Sequence, residues 1–354
     1  MNAQFTQHNL IFKQASGTSR GVLTTKETYL LEISKNGQKG IGECAIFRGL
    51  SYDDVPDYEE KLTWLCKNIN LDFEVLKKEL LHYPSIIFGL EQALLNLEHG
   101  EDLYFPSDFT DGKDSIKING LIWMGNADFM QSQIEEKLAK GFDCIKLKIG
   151  VDWKSEKEII KKLREKFPKE QLELRVDANG AFSYEEARMV LQELADLGIH
   201  SIEQPIKKSQ VKTKKSQETD EINSTDCCAP WNEMAKLCAE TPTPIALDEE
   251  LIGVIDFEEK KKLLETIKPQ YIILKPALVG GFSGSDEWIV LAESLGIDWW
   301  ITSALESNIG LNAICQYTYT KKNPLPQGLG TGALFTNNFE THLQLEGDQM
   351  WHKK

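Results

Sequence analysis

The chain has 354 residues and a formal net charge of -15, and 41% of its residues are hydrophobic. This acidic excess argues against nucleic acid as a partner, because affinity for phosphates requires a basic face. The length allows one large hydrophobic core or two unequal ones.

The sequence contains no apolar run that approaches the roughly 18 residues of a membrane-spanning helix. Residues 1–20 lack the basic start and apolar middle of a signal peptide. The seven cysteines are scattered, without the paired CxxC spacing of a zinc site. We therefore expect a cytoplasmic protein with reduced thiols and no membrane partner.

Residues 1–114 are predicted to form an α+β capping domain. Residues 9–43 have the pattern of strands, with a turn at Asn36-Gly37. Two helices with apolar residues at helical spacing are predicted to follow, at residues 57–69 and 85–98.

From residue 115 onward, short apolar runs alternate with amphipathic stretches, which is typical of βα units and a parallel sheet. Seven such runs occur, at residues 115–123, 144–150, 172–179, 201–205, 245–251, 271–278 and 298–304. A short eighth run at residues 327–331 would close a barrel. Residues 115–332 are therefore predicted to form an α/β domain, a (β/α) barrel of the TIM type.

Two segments do not fit this rhythm. Residues 207–230 are polar, charged and poor in large apolar side chains, so we expect a surface insertion without packed structure. Residues 333–354 are too polar for another βα unit, and we expect this tail to pack back on the capping domain.

The second run of the barrel carries two lysines. Lys146 and Lys148 alternate with apolar residues in the segment CIKLKIG. Because side chains alternate between the two faces of a strand, both lysines are predicted to face the barrel interior.

Four further charged residues end the later runs. Asp177, Glu203, Asp248 and Lys275 each follow the apolar residues of one run, so in a barrel they would share one pocket. They recur at the interval of one βα unit, except between Glu203 and Asp248, where the insertion adds length. We interpret the three acids as ligands of Mg²⁺, with Mn²⁺ as a possible substitute, since carboxylates that meet in one pocket require a cation.

The alternative is three structural ion pairs with Lys146, Lys148 and Lys275. With a metal present, the nearby dication and the neighbouring lysines would lower a lysine pKa toward the working pH. A neutral lysine could then remove a proton next to a carboxylate, and the metal would stabilise the enediolate that forms.

The residues at these positions resemble the lysine-base branch of the enolase superfamily, which includes the muconate-lactonising enzymes. The resemblance covers nearly the whole chain and implies a modified TIM barrel with a capping domain. Four segments are similar to those of the o-succinylbenzoate synthases, namely residues 42–51 (GECAIFRGLS), 248–253 (DEELIG), 303–310 (SALESNIG) and 329–335 (LGTGALF).

This resemblance implies dehydration of 2-succinyl-6-hydroxy-2,4-cyclohexadiene-1-carboxylate to 2-succinylbenzoate in menaquinone biosynthesis. Lys148 would be the base and then the acid, Lys146 would tune it, and Lys275 would stabilise the enediolate. Further roles are implied outside the lysines. Glu249 and Asn179 would support the metal ligands, and Ser303 and Ser307 would bind a substrate carboxylate. Arg20 and Ser51, in cap loops over the barrel mouth, would also bind the substrate.

Other activities remain open on the same scaffold, notably N-succinylamino acid racemisation and muconate-type cycloisomerisation.

A histidine-base branch is disfavoured, because no histidine occurs between His200 and His342. Dipeptide epimerases are disfavoured too, since no Asp-x-Asp lies beside Gly328 to Gly332. A non-catalytic barrel would lack at least one of the charged strand ends, and all are present. The oligomeric state does not follow from the sequence.

Overall fold

The computed structural model describes residues 1–18, 21–123, 127–209 and 231–353. The N-terminal part contains a three-stranded antiparallel sheet in the order β1 (Asn2–Thr18), β2 (Gly21–Lys35) and β3 (Gln38–Cys44). The turn between β2 and β3 has positive φ angles of 52° at Asn36 and 83° at Gly37, as the sequence predicts for this pair.

Three helices cover this sheet: α1 (Tyr58–Asn68), α2 (Phe73–Glu79) and α3 (Pro84–His99). The backbones of α3 and β3 lie in direct contact, because a Cβ added at Gly42 would lie 1.9 Å from the carbonyl oxygen of Gly89. Glycine at this position is therefore a condition for packing the helix on the sheet.

The rest of the chain forms a parallel seven-stranded sheet in the order β11-β10-β9-β8-β7-β6-β5. Its strands in chain order are β5 (Gly120–Ile122), β6 (Cys144–Lys148), β7 (Glu173–Asp177), β8 (Ser201–Glu203), β9 (Ile245–Leu247), β10 (Tyr271–Leu274) and β11 (Asp298–Ile301). Each strand is buried, since helices cover the outside of the sheet.

Residues 327–328 close this sheet into a ring. Gln327 bridges to Ile118 and Gly328 bridges to Thr302, both in parallel orientation. The amide of Asn119 donates to Gln327 O at 2.9 Å, and that of Ser303 donates to Gly328 O at 3.0 Å. The eighth strand that the sequence predicts at residues 327–331 is therefore reduced to two bridges.

Within the described residues, eight helices accompany the strands: α4 (Ala127–Ala139), α5 (Trp153–Lys166), α6 (Tyr184–Asp196), α7 (Asn232–Glu240), α8 (Phe257–Ile267), α9 (Pro276–Val279), α10 (Gly281–Ser294) and α11 (Asn308–Lys321). Helix α6 begins with the predicted capping box, in which Ser183 and Glu186 exchange hydrogen bonds. None of the helices in the described part of the chain is long and apolar enough to cross a membrane.

The C-terminal tail contacts both parts of the molecule. Phe335 bridges to Phe12 of β1, and their rings lie 4.7 Å apart. The hairpin of β12 (Leu343–Glu346) and β13 (Gln349–His352) then pairs with β4 (Ser115–Lys117), a segment that we had assigned to the barrel.

The predicted fold class, a (β/α) barrel behind an α+β cap, is confirmed. Details differ where local sequence is ambiguous. Helix α2 was not predicted, and β1 begins at Asn2 rather than at residue 9. The run at 271–278 ends as a strand at Leu274, because Pro276 starts α9. Most of the predicted insertion, residues 210–230, lies outside the described residues.

Candidate active site

A cleft opens at the carboxyl ends of the barrel strands. Its polar wall is formed by Lys146, Lys148, Asp177, Asn179, Glu249 and Lys275. Its apolar wall includes Phe47 and Leu50 from the cap, with Leu121, Trp123 and Leu305 from the barrel. Such a position is where barrel enzymes carry their active sites.

Lys148 and Asp177 meet because β6 and β7 pair with these two residues in register. Lys148 Nζ donates to Asp177 Oδ2 at 2.9 Å and to Asn179 Oδ1 at 2.5 Å. The Asn179 amide in turn donates to Glu249 Oε1 at 3.1 Å. The structure thus brings Lys148, the base of the implied mechanism, together with Asn179 and Glu249, to which the resemblance assigns a supporting role.

Lys146 lies deeper in the barrel than Lys148, and its side chain is 8% exposed. Its Nζ is 2.7 Å from Glu203 Oε2 and 3.4 Å from Asp177 Oδ2, so one ammonium group bridges two carboxylates. Lys275 bridges the next pair, because its Nζ contacts Asp248 Oδ2 and lies 3.8 Å from Glu203 Oε1.

These ion pairs shift the protonation equilibria of the cluster. Burial lowers the pKa of Lys146, but the charges of Glu203 and Asp177 outweigh it and raise that pKa above its ordinary value. The pKa of Lys275 is raised in the same way, by Asp248 and Glu203. Burial opposes ionisation of Asp177, yet Lys148 and Lys146 hold the pKa of that carboxyl far below its usual range.

We had expected lysine pKa values lowered by a neighbouring dication. Among the protein groups alone, the direction at Lys146 and Lys275 is the opposite. Each ammonium group is in direct contact with a carboxylate, and this attraction outweighs the effect of burial on its pKa. A lowered lysine pKa in this cluster would require a cation that neutralises the carboxylates.

The three acidic strand ends have the chemistry of a Mg²⁺ site. Asp177, Glu203 and Asp248 are each 2% exposed, and all of their donor atoms are oxygens. Glu203 Oε1 is buried and accepts no hydrogen bond within the described residues. The ligand atoms of the three acids do not all lie within 4.8 Å of one another, and a lysine ammonium group contacts each acid. An unsatisfied buried oxygen among three carboxylates fits a hard divalent cation.

Gln204 was not predicted as a functional residue, yet it fixes the position of two acidic segments. Its side chain is 0% exposed, and its Oε1 accepts from the backbone amides of Asp248 at 3.3 Å and Glu250 at 3.2 Å. Its Nε2 donates to Glu250 Oε2 at 3.2 Å. The only sequence signal was its place directly after the strand end at Glu203, in the segment EQP.

The structure requires a correction at Ser307. This serine is the N-cap of α11, it is fully buried, and its hydroxyl donates to Glu43 Oε2 at 2.6 Å. Glu43 also accepts from the backbone amides of Ser307 at 3.0 Å and Gly310 at 2.9 Å. Ser307 therefore joins the cap to the barrel and does not line the cleft, whereas Ser303 does.

Ser51 also requires a correction. Its hydroxyl accepts from the backbone amide of Phe47 at 2.8 Å, which closes the cap loop, and its side chain is absent from the cleft wall formed by described residues. The residues of this loop that reach the cleft are Phe47 and Leu50. Arg20, the other predicted cap residue, lies outside the described residues.

Comparisons with known proteins agree on one group. Residues 130–221 match the family model described as enolase C-terminal domain-like. The chain is similar to the o-succinylbenzoate synthase of Desulfotalea psychrophila, with 42% identity over 98% of both chains. It is also similar to the N-succinylamino acid racemase of Thermus thermophilus, with 33% identity over 83% of this chain and 75% of that protein.

Solved structures extend the likeness to the fold. The crystal structure of MenC from D. psychrophila has a TM-score of 0.84 to this chain, with 40% identity and 99% of both chains covered. The o-succinylbenzoate synthase of Thermosynechococcus elongatus, whose structure was solved with Mg in the active site, has a TM-score of 0.71. At 22% identity, with 93% of this chain and 92% of that chain covered, this second likeness supports the fold alone.

Replacing Gln204 by Met tests its role in holding the acidic segments. The substitution keeps the length of the side chain but leaves the Asp248 and Glu250 amides and the Glu250 carboxyl without their buried partner. We expect the free energy of unfolding to fall by about 1 to 3 kcal/mol, measured by denaturant titration. The matched control is Gln192→Met on the exposed face of α6. This substitution should change the free energy of unfolding by less than about 0.5 kcal/mol. Equal stability of Q204M and the parent chain would contradict the role of Gln204.

Proposed function

Since the chain belongs to the o-succinylbenzoate synthase family of the enolase superfamily, we propose that it catalyses a Mg²⁺-dependent dehydration in menaquinone biosynthesis. Membership makes the chain an enzyme, a carbon-oxygen lyase that acts on a small molecule. The proposed substrate is 2-succinyl-6-hydroxy-2,4-cyclohexadiene-1-carboxylate, and the proposed product is 2-succinylbenzoate.

The observation that carries this proposal is the placement of two lysines on opposite walls of one cleft. Lys148 ends β6, and Lys275 directly follows β10. In one direction around the ring, three strands lie between β6 and β10. In the other direction there are also three elements between them, namely β5, residues 327–328 and β11. A flat ring substrate between these walls would therefore present one face to each lysine.

In the proposed reaction, neutral Lys148 removes the proton from the ring carbon that carries the carboxylate. The electron pair of the broken C–H bond moves into the carboxylate, which becomes an enediolate, and the Lys275 ammonium stabilises this charge from the opposite face. The electrons then return to the ring as the C–O bond breaks. Protonated Lys148 gives its proton to the departing hydroxyl on the same face, so water leaves and the ring becomes aromatic.

We assign Asp177, Glu203 and Asp248 as the residues that would hold Mg²⁺. When bound, the ion supplies positive charge next to the substrate carboxylate. A cation at Asp177 would also compete with Lys148 for Oδ2, which removes an interaction that favours the ammonium form. Lys146 would tune the cluster through Glu203 and Asp177.

The remaining wall accounts for the rest of the substrate. Phe47, Leu50, Trp123 and Leu305 offer apolar surface for the ring and the succinyl chain. The Ser303 hydroxyl lies 2.7 Å from the Thr331 hydroxyl, and both residues line the cleft, where they could contact a substrate carboxylate. Asn179 and Glu249 would support the metal ligands from the side of Lys148.

A second candidate is racemisation of N-succinylamino acids. The 33% identity to the T. thermophilus racemase favours it, and the paired lysines suit removal of a proton from one face and its return from the other. Both reactions begin with the same proton removal, so only a comparison of substrates separates them.

The first test of the proposal is turnover of the cyclohexadiene carboxylate, followed by absorbance as the ring becomes aromatic. We expect rapid conversion with Mg²⁺ and loss of activity after chelation, with recovery when Mg²⁺ is added back. N-succinylamino acids assayed under the same conditions are the comparison. Faster turnover of those substrates would assign the racemase function, and activity that survives chelation would contradict the metal assignment.

Lys148→Ala removes the proposed base. We expect the rate to fall by about 10² to 10⁴ while the melting temperature stays close to that of the parent chain. Lys140→Ala, at an exposed lysine outside the cleft, is the matched control and should leave the rate unchanged. A K148A rate within a few-fold of the parent rate would remove Lys148 from the mechanism.

Asp248→Asn tests the proposed metal ligands. The substitution keeps the shape of the side chain but removes its charge, so we expect the Mg²⁺ affinity measured by calorimetry to fall by at least about tenfold. Asp196→Asn, at an exposed residue at the end of α6, serves as the control for a general loss of negative charge. Equal Mg²⁺ affinity in D248N and D196N would show that Asp248 is not a ligand.

A further inference from the structure

Two histidines and one aspartate meet outside the cleft. His342 Nδ1 lies 2.6 Å from Asp102 Oδ2, and His352 Nε2 lies 3.2 Å from the same oxygen. One ligand atom from each residue can be chosen so that all three lie within 4.8 Å of one another. Among the described residues, this is the only group of His, Cys, Asp or Glu side chains with that property.

The three residues come from distant parts of the chain. Asp102 follows α3, His342 precedes β12, and His352 ends β13. Because β13 pairs with β4, the hairpin holds His352 beside the segment that contains Asp102. The backbone oxygen of Asp102 accepts from Asn312 Nδ2 at 2.9 Å and Gln316 Nε2 at 2.8 Å, so α11 fixes it from the other side.

The buried side of the cluster is held in place by packing. The side chain of His352 is 0% exposed, and its ring lies 5.9 Å from that of Phe109. Asp102 Oδ1 is buried and accepts no hydrogen bond within the described residues. Burial opposes ionisation of Asp102, but hydrogen bonds from His352 and His342 outweigh it and lower the pKa of the carboxyl to about 2.

We propose that Asp102, His342 and His352 form a second metal site, separate from the cleft, which binds Zn²⁺. Two imidazole nitrogens and one carboxylate oxygen are a common three-residue ligand set for zinc, with water as the fourth ligand. Nitrogen ligands suit Zn²⁺ and disfavour Mg²⁺, which distinguishes this site from the three carboxylates of the cleft.

One of the three ligand pairs already has the spacing that a tetrahedral ion requires. Ligand atoms at about 2.0 to 2.1 Å from zinc lie about 3.3 Å from one another. The pair of His352 and Asp102, at 3.2 Å, already has this separation. His342 must move outward from its 2.6 Å contact, and its side chain is 42% exposed, so it can do so without displacing the core. The exposed side also leaves room for a water ligand.

An ion at the proposed site would lie apart from the chemistry of the cleft. None of its three residues belongs to the described wall of the cleft. A bound ion would join the C-terminal hairpin to the segment after α3, which lies more than two hundred residues earlier in the sequence. Within the described residues, His352 Nδ1 has no hydrogen-bond partner, so the support that raises zinc affinity at many sites is missing and we expect micromolar binding.

The test is a calorimetric titration of the full chain with ZnCl₂ in the presence of excess Mg²⁺, which competes with zinc for the proposed site in the cleft. We expect one zinc ion per chain with micromolar affinity, together with a rise of a few degrees in the melting temperature. His342→Ala and Asp102→Asn should each weaken this binding by at least about tenfold and abolish the rise. Because His342 is partly exposed, the H342A chain is expected to fold.

His99→Ala is the matched control, since His99 is an exposed histidine three residues before Asp102 and outside the cluster. It should bind zinc like the parent chain. Two results would overturn the proposal: no zinc binding in the presence of Mg²⁺, or equal zinc binding by H342A and H99A, which would place the ion elsewhere. Neither result depends on the dehydratase assignment, because no turnover is measured.

Discussion

Alternation of charge across the barrel mouth is the constraint on which the site depends. Three carboxylates with almost no solvent contact could not lie so close together without positive partners, because an uncompensated buried charge costs several kcal/mol. Lys146 and Lys275 each contact two of the acids, and Lys148 contacts one. The parallel strands make this possible, since every strand delivers its last residue to the same end of the barrel.

The cap and the barrel contribute different parts of the site. The barrel supplies the charged groups, whereas the cap supplies the apolar side chains of Phe47 and Leu50. Glu43 joins the two parts, because it accepts hydrogen bonds from the first turn of α11 while Thr28 donates to it from β2 at 2.8 Å. A carboxylate at a helix N-terminus is favourable. The cap is thus anchored next to the segment that carries Ser303.

Much of the site could be predicted because its residues obey local rules. The period of two along β6 predicted that Lys146 and Lys148 share one face, and the recurrence of charged strand ends predicted that Asp177, Glu203, Asp248 and Lys275 share one pocket. The roles that the family resemblance implies for Ser307 and Ser51 do not match their contacts, because a hydroxyl can bind either a ligand or the protein. Their partners, Glu43 and the Phe47 amide, are known only from the packing of the cap. Gln204 was missed because one buried amide between charged neighbours has no periodic signal.

The sequence by itself determined the alternation of strands and helices in the barrel, the set of charged residues at the barrel mouth and the family, because side-chain periodicity and short motifs are local properties of the chain. Only the tertiary structure decided how the ring closes at Gln327 and Gly328, which lysine faces which carboxylate, and where Ser307 points. It alone brought Asp102 to His342 and His352. These contacts join residues far apart in sequence, and they depend on the packing of whole elements rather than on any local pattern.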